Sequence, residues 1–258
     1  MFTFLLIALV AYAALVAFMY VSQRALLYPG QAFAPPSGPE WGEAVAIATP
    51  DGETLHGLHA RADPGRPSVL FFLGNADRVG NYGFLARAFA ARGIGLLAIS
   101  YRGYPGSTGT PSETGLLTDG LAAFDWLAAQ GDGGIVLLGQ SLGSGVAVNT
   151  AVERPATAVV LISAYLSVQS LAQAHYPFLP VALLIKDPFR SDLRITRVRQ
   201  PKLFIHGRRD DVIPQSSGEA LFRLAPEPKR MLVHEAGHND IWNDAVTAAI
   251  VDFVAGHK

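Results

Sequence analysis

The chain has 258 residues, 50% hydrophobic and 16% charged, with a formal net charge of −1 and no cysteine. This excludes a disulfide scaffold, a cysteine-ligated metal site and a disordered chain, and the near-neutral charge excludes a nucleic-acid binder working through a basic surface. The apolar residues are unevenly spread: without residues 1–21 the remainder is about 46% apolar, an ordinary globular composition for one soluble body and not for a multi-span membrane protein.

Residues 2–21 are apolar at 19 of 20 positions, Thr3 being the exception, and the first charged side chain is Arg24. Twenty residues at a helical rise of about 1.5 Å cover about 30 Å, the thickness of a bilayer hydrocarbon core. No basic stretch precedes the segment, and its small-x-small motif, Ala11-Tyr12-Ala13, lies mid-segment where a cleavage site would lie at the end. Residues 1–23 therefore read as an uncleaved, single-pass membrane anchor through residues 2–21, with Tyr12 and Tyr20 as interfacial candidates. Arg24 alone does not set which side of the membrane the body faces. Residues 24–42 carry Pro29, Gly30, Pro35, Pro36, Gly38 and Pro39 and read as a linker or collar.

From residue 43 to 258 the pattern is that of one domain. Residues 43–49 and 54–60 flank Pro50-Asp51-Gly52, a turn between antiparallel strands. Short, continuously apolar runs follow at 68–73, 95–100, 134–139, 158–163, 202–206 and 230–234, as expected of strands buried on both faces of a parallel sheet. Helical stretches at 82–92, 115–130, 142–153, 216–224 and 240–255 alternate with them. The expected fold is α/β, a doubly wound and mostly parallel sheet. Residues 164–199 break the alternation with aromatics and prolines, and an excursion of that length reads as a small cap over the carboxyl edge of the sheet.

The chemistry concentrates in three loops. Gly139-Gln140-Ser141-Leu142-Gly143 follows an apolar strand and precedes a helix, the setting a nucleophile elbow requires. A serine hydroxyl needs a base, and the base needs an orienting acid. Of seven histidines, His238 in Glu235-Ala236-Gly237-His238-Asn239-Asp240 alone falls in a loop between the last strand and last helix, beside the elbow. The acid follows the preceding strand at Asp210-Asp211, and chemistry alone does not choose between the two. The order serine, acid, histidine is itself a recognised arrangement. Two backbone amides are expected to hold an oxyanion: that of Leu142, and one in Gly74-Asn75-Ala76-Asp77, with Asn75 preferred and Ala76 the alternative.

Together with Tyr101-Arg102-Gly103-Tyr104-Pro105-Gly106-Ser107, Pro111-Ser112-Glu113, His206-Gly207 and Pro214, these motifs make the chain resemble the α/β-hydrolase superfamily across residues 43–258. More narrowly it is similar to a membrane-anchored branch that includes protein depalmitoylases and bacterial serine hydrolases. The resemblance implies Asp210, rather than Asp211, as the acid. It departs at Leu73, where that branch usually has histidine, so a differently braced oxyanion loop is expected. The expectation is a serine hydrolase cleaving carboxylic esters or thioesters, with lipid or lipidated substrates, without metal or organic cofactor and without nucleic acid as partner. Arg102 is expected to be structural. The alternatives are a serine peptidase and a non-catalytic, membrane-tethered scaffold.

Overall fold

The structure is a computed structural model that describes residues 1–34, 41–131 and 133–257. Pro35, Pro36, Gly38 and Pro39 of the expected linker lie outside the described residues.

Strands β1 (Glu43–Ala48) and β2 (Thr54–Ala60) pair antiparallel about the Pro50-Asp51-Gly52 turn, with Ala48 opposite Thr54. The apolar runs form β3 (Ser68–Phe72), β4 (Gly95–Ile99), β5 (Ile135–Gln140), β6 (Ala158–Ile162), β7 (Lys202–Gly207) and β8 (Lys229–His234). They complete an eight-stranded sheet of order β1-β2-β4-β3-β5-β6-β7-β8, antiparallel at β1–β2 and β2–β4 and parallel from β4 to β8. Alternate side chains enter two cores. Leu70, Phe72 and Leu137 face one; Val69, Phe71, Val136 and Leu138 face the other. This two-sided burial is why the central strands read as unbroken apolar runs.

On the first face pack α3 (Glu113–Ala128), α4 (Leu142–Glu153) and α8 (Gln215–Leu224), through Leu116, Phe124, Val146 and Leu221. On the second pack α2 (Gly83–Ala90) and α9 (Asp244–Ala255), through Leu85, Phe89, Val246 and Ile250. The last helix begins four residues later than its apolar period suggests, because the Asn243 side chain accepts from the Val246 amide and fixes the start there. The residues before it stay free as a loop.

The chain runs outward along the sheet through β3 and β4, then returns to place β5 on the other side of β3. Loops leaving β3 and β5 therefore diverge at their carboxyl ends, the topological switch where doubly wound sheets bind ligands. Gly74 follows β3 and Ser141 follows β5.

Two expectations are corrected. The first helix, α1, covers Phe2–Leu27 and continues past residue 23, so the start of the expected linker is helical, followed by a 3-10 turn at Pro29–Ala32. Of the two readings, linker or collar, the described part of this stretch agrees with a collar lying on the body. Arg24 pairs with Asp187 at 2.8 Å, and Tyr28 is fully buried in the core. The expected cap over 164–199 also divides. Its second half, which includes α7 (Ser191–Arg194), sends Phe189, Ile195 and Val198 into the main core at 0% exposure. Its first half forms the outer cap: α5 (Val168–His175), which rests on the main core through Val168 and Leu171, and α6 (Val181–Leu184) with their connection lean against α1.

Candidate active site

Ser141 sits at the sharp junction of β5 and α4 with φ of 51° and ψ of −121°, a left-handed conformation that a non-glycine residue adopts only when its surroundings enforce it. The surroundings here are tight. A Cβ at Gly143 would lie 2.0 Å from the Phe72 carbonyl oxygen, so only glycine lets the start of α4 pass β3. The Ser141 amide donates to Ile162 O at 2.9 Å, and Ser141 O accepts from both the amide and the hydroxyl of Ser144. The side chain is thereby fixed from below.

His238, in the loop after β8, brings Nε2 to 3.1 Å from Ser141 Oγ. Its Nδ1 lies 2.8 Å from Asp210 Oδ2. A carboxylate only accepts, so Nδ1 carries the proton and Nε2 is left to accept from the serine hydroxyl. Asp210 Oδ1 accepts from the amides of Val212, at 3.1 Å, and Ile213, at 2.7 Å. Burial would raise the Asp210 carboxyl, but His238 and the Ile213 amide outweigh it and hold the group below the usual carboxylate range. Ser163, which follows β6 with φ of 48°, turns its hydroxyl toward the same carboxylate without reaching full hydrogen-bond geometry. Asp211 is exposed.

His206 lies beneath the same carboxylate but has another task. Its Nε2 donates to Ile213 O at 2.9 Å, and burial pushes its imidazole down, toward the neutral form. It holds the turn that carries Asp210.

Among the described residues, neither the main-chain N–H of Asn75 nor that of Leu142 donates to a protein acceptor. The Leu142 amide opens α4, where the helix dipole favours negative charge. A Cβ on Gly74 would lie 3.7 Å from Ser141 Cβ, so the loop holding Asn75 runs directly beside the nucleophile position. Ala76, the alternative donor, is exposed.

Leu73 offers no imidazole to brace this loop, and other groups do so. Tyr101 Oη donates to Leu73 O at 2.9 Å and Tyr104 Oη to Asn75 O at 2.8 Å. From the other side the Gly30 amide also donates to Asn75 O, at 3.2 Å, and Asn75 Nδ2 donates to Leu27 O at 3.0 Å. Gly30 must be glycine, since a Cβ there would fall 2.0 Å from the Tyr104 ring. The end of the N-terminal segment is thus part of the wall behind the loop that holds Asn75.

A second network absent from the sequence reading holds Gln140. Its Oε1 accepts from Trp242 Nε1 at 2.9 Å and lies beside Tyr82 Oη, whose proton goes to the Asp77 carboxylate. Burial and that carboxylate keep the Tyr82 phenol well above its ordinary range, hence protonated. Nothing local in the sequence links Gln140 to Tyr82 and Trp242, which lie 58 and 102 positions away. Arg102 is structural as expected. It bridges Asp119 at 2.7 Å and Asp51 at 2.7 Å, tying α3 to the β1–β2 turn.

Fold and site geometry are those of an α/β hydrolase. Residues 63–197, just over half the chain, match the family described as serine aminopeptidase, S33, and the chain belongs to that family of α/β hydrolases. It is 40% identical over 245 residues to an uncharacterised protein of Mycobacterium tuberculosis, covering 91% of this chain and 86% of that one. It is 29% identical to protein bem46 of Schizosaccharomyces pombe, over 92% of this chain and 87% of that one. With the lysophosphatidylserine lipase ABHD12 of Xenopus tropicalis it shares 32% identity, over 64% of this chain and 48% of the lipase. Among solved structures, an esterase of Pyrococcus furiosus superimposes with a TM-score of 0.69 at 19% identity, covering 85% of this chain and 95% of that one.

Proposed function

We propose that the protein is a membrane-anchored serine hydrolase that cleaves carboxylic esters or thioesters of acyl chains. The observation that carries this reading is the continuous relay from Asp210 through His238 to Ser141, at 2.8 and 3.1 Å, beside two unengaged amides. Ser141 Oγ attacks the acyl carbon while His238 Nε2 takes its proton. The Asn75 and Leu142 amides receive the charge that develops on the acyl oxygen. His238 then gives the proton to the departing alkoxide or thiolate. Water attacks the acyl-enzyme by the same route in reverse and releases the acid. Asp210 keeps Nδ1 protonated and faces the imidazolium as it forms.

The esterase and lipase relatives support an ester substrate, and the relative named for lysophosphatidylserine supports a lipid one. Membrane attachment rests on α1, 26 apolar-rich residues and about 39 Å long, the one described helix long and apolar enough to cross a bilayer. Retention of that helix is supported by its C-terminal turn, which is fastened to Asp187 and Asn75.

The test is hydrolysis by the full chain in detergent of a panel of nitrophenyl esters, acyl thioesters and aminoacyl anilides. Ester and thioester turnover that falls by roughly 10³-fold or more in Ser141→Ala is expected. Turnover of the anilides alone would establish a peptidase, and no turnover of any member would leave the scaffold reading standing.

A further inference from the structure

Between α1 and the outer cap lies an apolar cavity of about 250 Å³, with Met19, Leu26 and Leu27 on the helix side and Ala172, Leu179 and Leu184 on the cap side. The two walls are joined by specific contacts. Tyr12 Oη donates to Phe178 O at 2.9 Å, Gln23 Nε2 donates to Leu184 O at 3.2 Å, and Gln23 Oε1 accepts from the Lys186 amide at 2.7 Å. The Arg24–Asp187 pair closes one end. The helix thus meets the cap along a stripe from Tyr12 through Met19 and Gln23 to Leu27.

We infer that this cavity holds the acyl chain of the substrate, so that the anchor helix is itself one wall of the binding site. The inference rests on the hydrolase reading above and extends it to long-chain acyl substrates taken from a lipid leaflet. Three observations support that occupant. Leu27 lines the cavity and its carbonyl accepts from the Asn75 side chain, while Gly74 adjoins Ser141, so the helix-side wall of the cavity is hydrogen-bonded to the loop at the proposed scissile bond. The lining is mainly apolar, and its polar members Gln23 and Asp187 are engaged by the Leu184 carbonyl, the Lys186 amide and Arg24, which suits an acyl chain better than a headgroup or peptide. Finally, the outer cap carries the exposed side chains of Phe178 and Leu183, 56% and 86% exposed, next to a helix whose own side chains are apolar and exposed. Helix and cap form one lipid-compatible surface, through which a chain passes from bilayer to cavity without crossing water.

The test uses the full chain in lipid nanodiscs and a fluorophosphonate whose dodecyl tail ends in a diazirine. Phosphonylation of Ser141 reports on the hydrolase reading, and the photo-crosslink reports where the tail lies. The expected result is adduct on Ser141 with crosslinks confined to residues 19–27 and 168–185. Adduct on Ser141 with crosslinks elsewhere overturns the acyl cavity and leaves the hydrolase standing. Absence of adduct on Ser141 overturns both. A second measurement is the ratio of kcat/KM for dodecanoyl over acetyl esters. Ala172→Trp, which fills the cavity from the cap side, is expected to lower that ratio about tenfold or more; an unchanged ratio in a variant with wild-type melting temperature overturns the inference.

Discussion

At the scale of residues, the candidate site separates groups that act through a side chain from those that act through the backbone. Asp210 belongs to the first kind: its carboxylate sets the tautomer of His238, and an amide in its place would present the wrong partner to Nδ1. Asp210→Asn is expected to lower ester kcat by roughly 10³–10⁴-fold while the folded chain persists, as judged by its circular dichroism. Asn75 belongs to the second kind. The proposed donor is its main-chain N–H, so Asn75→Ala removes only the bond to Leu27 O and is expected to cost no more than about tenfold in kcat. A loss of 10²–10³-fold, the usual effect of deleting an oxyanion donor, would instead make the side-chain amide the donor. The serine, histidine and acidic loop that the structure brings together were each visible in the sequence, because each stands in a local pattern: glycines around a serine between strand and helix, and polar loops after the last two long strands. The choice between Asp210 and Asp211 was not local. It depends on which carboxylate the His206-braced turn points inward.

At the scale of elements, the sheet was readable strand by strand because burial on both faces leaves unbroken apolar runs. What the runs could not disclose is how the elements are fastened. Arg102, Asp119 and Asp51 lie on three separate elements, and nothing periodic links positions 51, 102 and 119. Asp119 is fully buried, and desolvation raises its carboxyl despite Arg102. Removing the guanidinium strands that carboxylate, so Arg102→Met is expected to cost about 3–5 kcal/mol in urea unfolding, and Arg102→Met/Asp119→Asn to recover part of the loss. Asp51 gives the pH dependence of the same cluster. The hydrogen bond from Arg102, with one from Thr49, holds its carboxyl at about 2. Its contribution to stability is therefore present above the ordinary carboxylate value near 3.9 and is lost as pH falls through about 2. Between pH 4 and 2 the urea midpoint should fall less steeply in Asp51→Asn than in the wild type.

At the scale of the whole molecule, the N-terminal segment is both a hydrophobic helix and a structural part of the body. Its composition is so uniformly apolar that no face stands out, and the docking stripe at Tyr12, Met19, Gln23 and Leu27 was invisible until the cap lay against it. Tyr28 is the firmest of these attachments, at 0% exposure. Tyr28→Ala is expected to destabilise the full chain by about 3–5 kcal/mol, the usual cost of deleting a buried aromatic side chain, with a matching fall in melting temperature. A change below about 0.5 kcal/mol would mean that the segment only rests on the body. The same attachment predicts that a chain cut before the body loses part of the brace on Asn75, and with it part of the proposed ester turnover.

The central claim is that Ser141 is a nucleophile activated by His238 and Asp210. The most direct measurement is fluorophosphonate labelling of the full chain in detergent, followed by mapping of the modified peptide, with Ser141→Ala alongside. The account predicts stoichiometric adduct on Ser141 and none in the variant. Adduct that survives the substitution, or a wild-type chain that stays unlabelled while correctly folded, would contradict it.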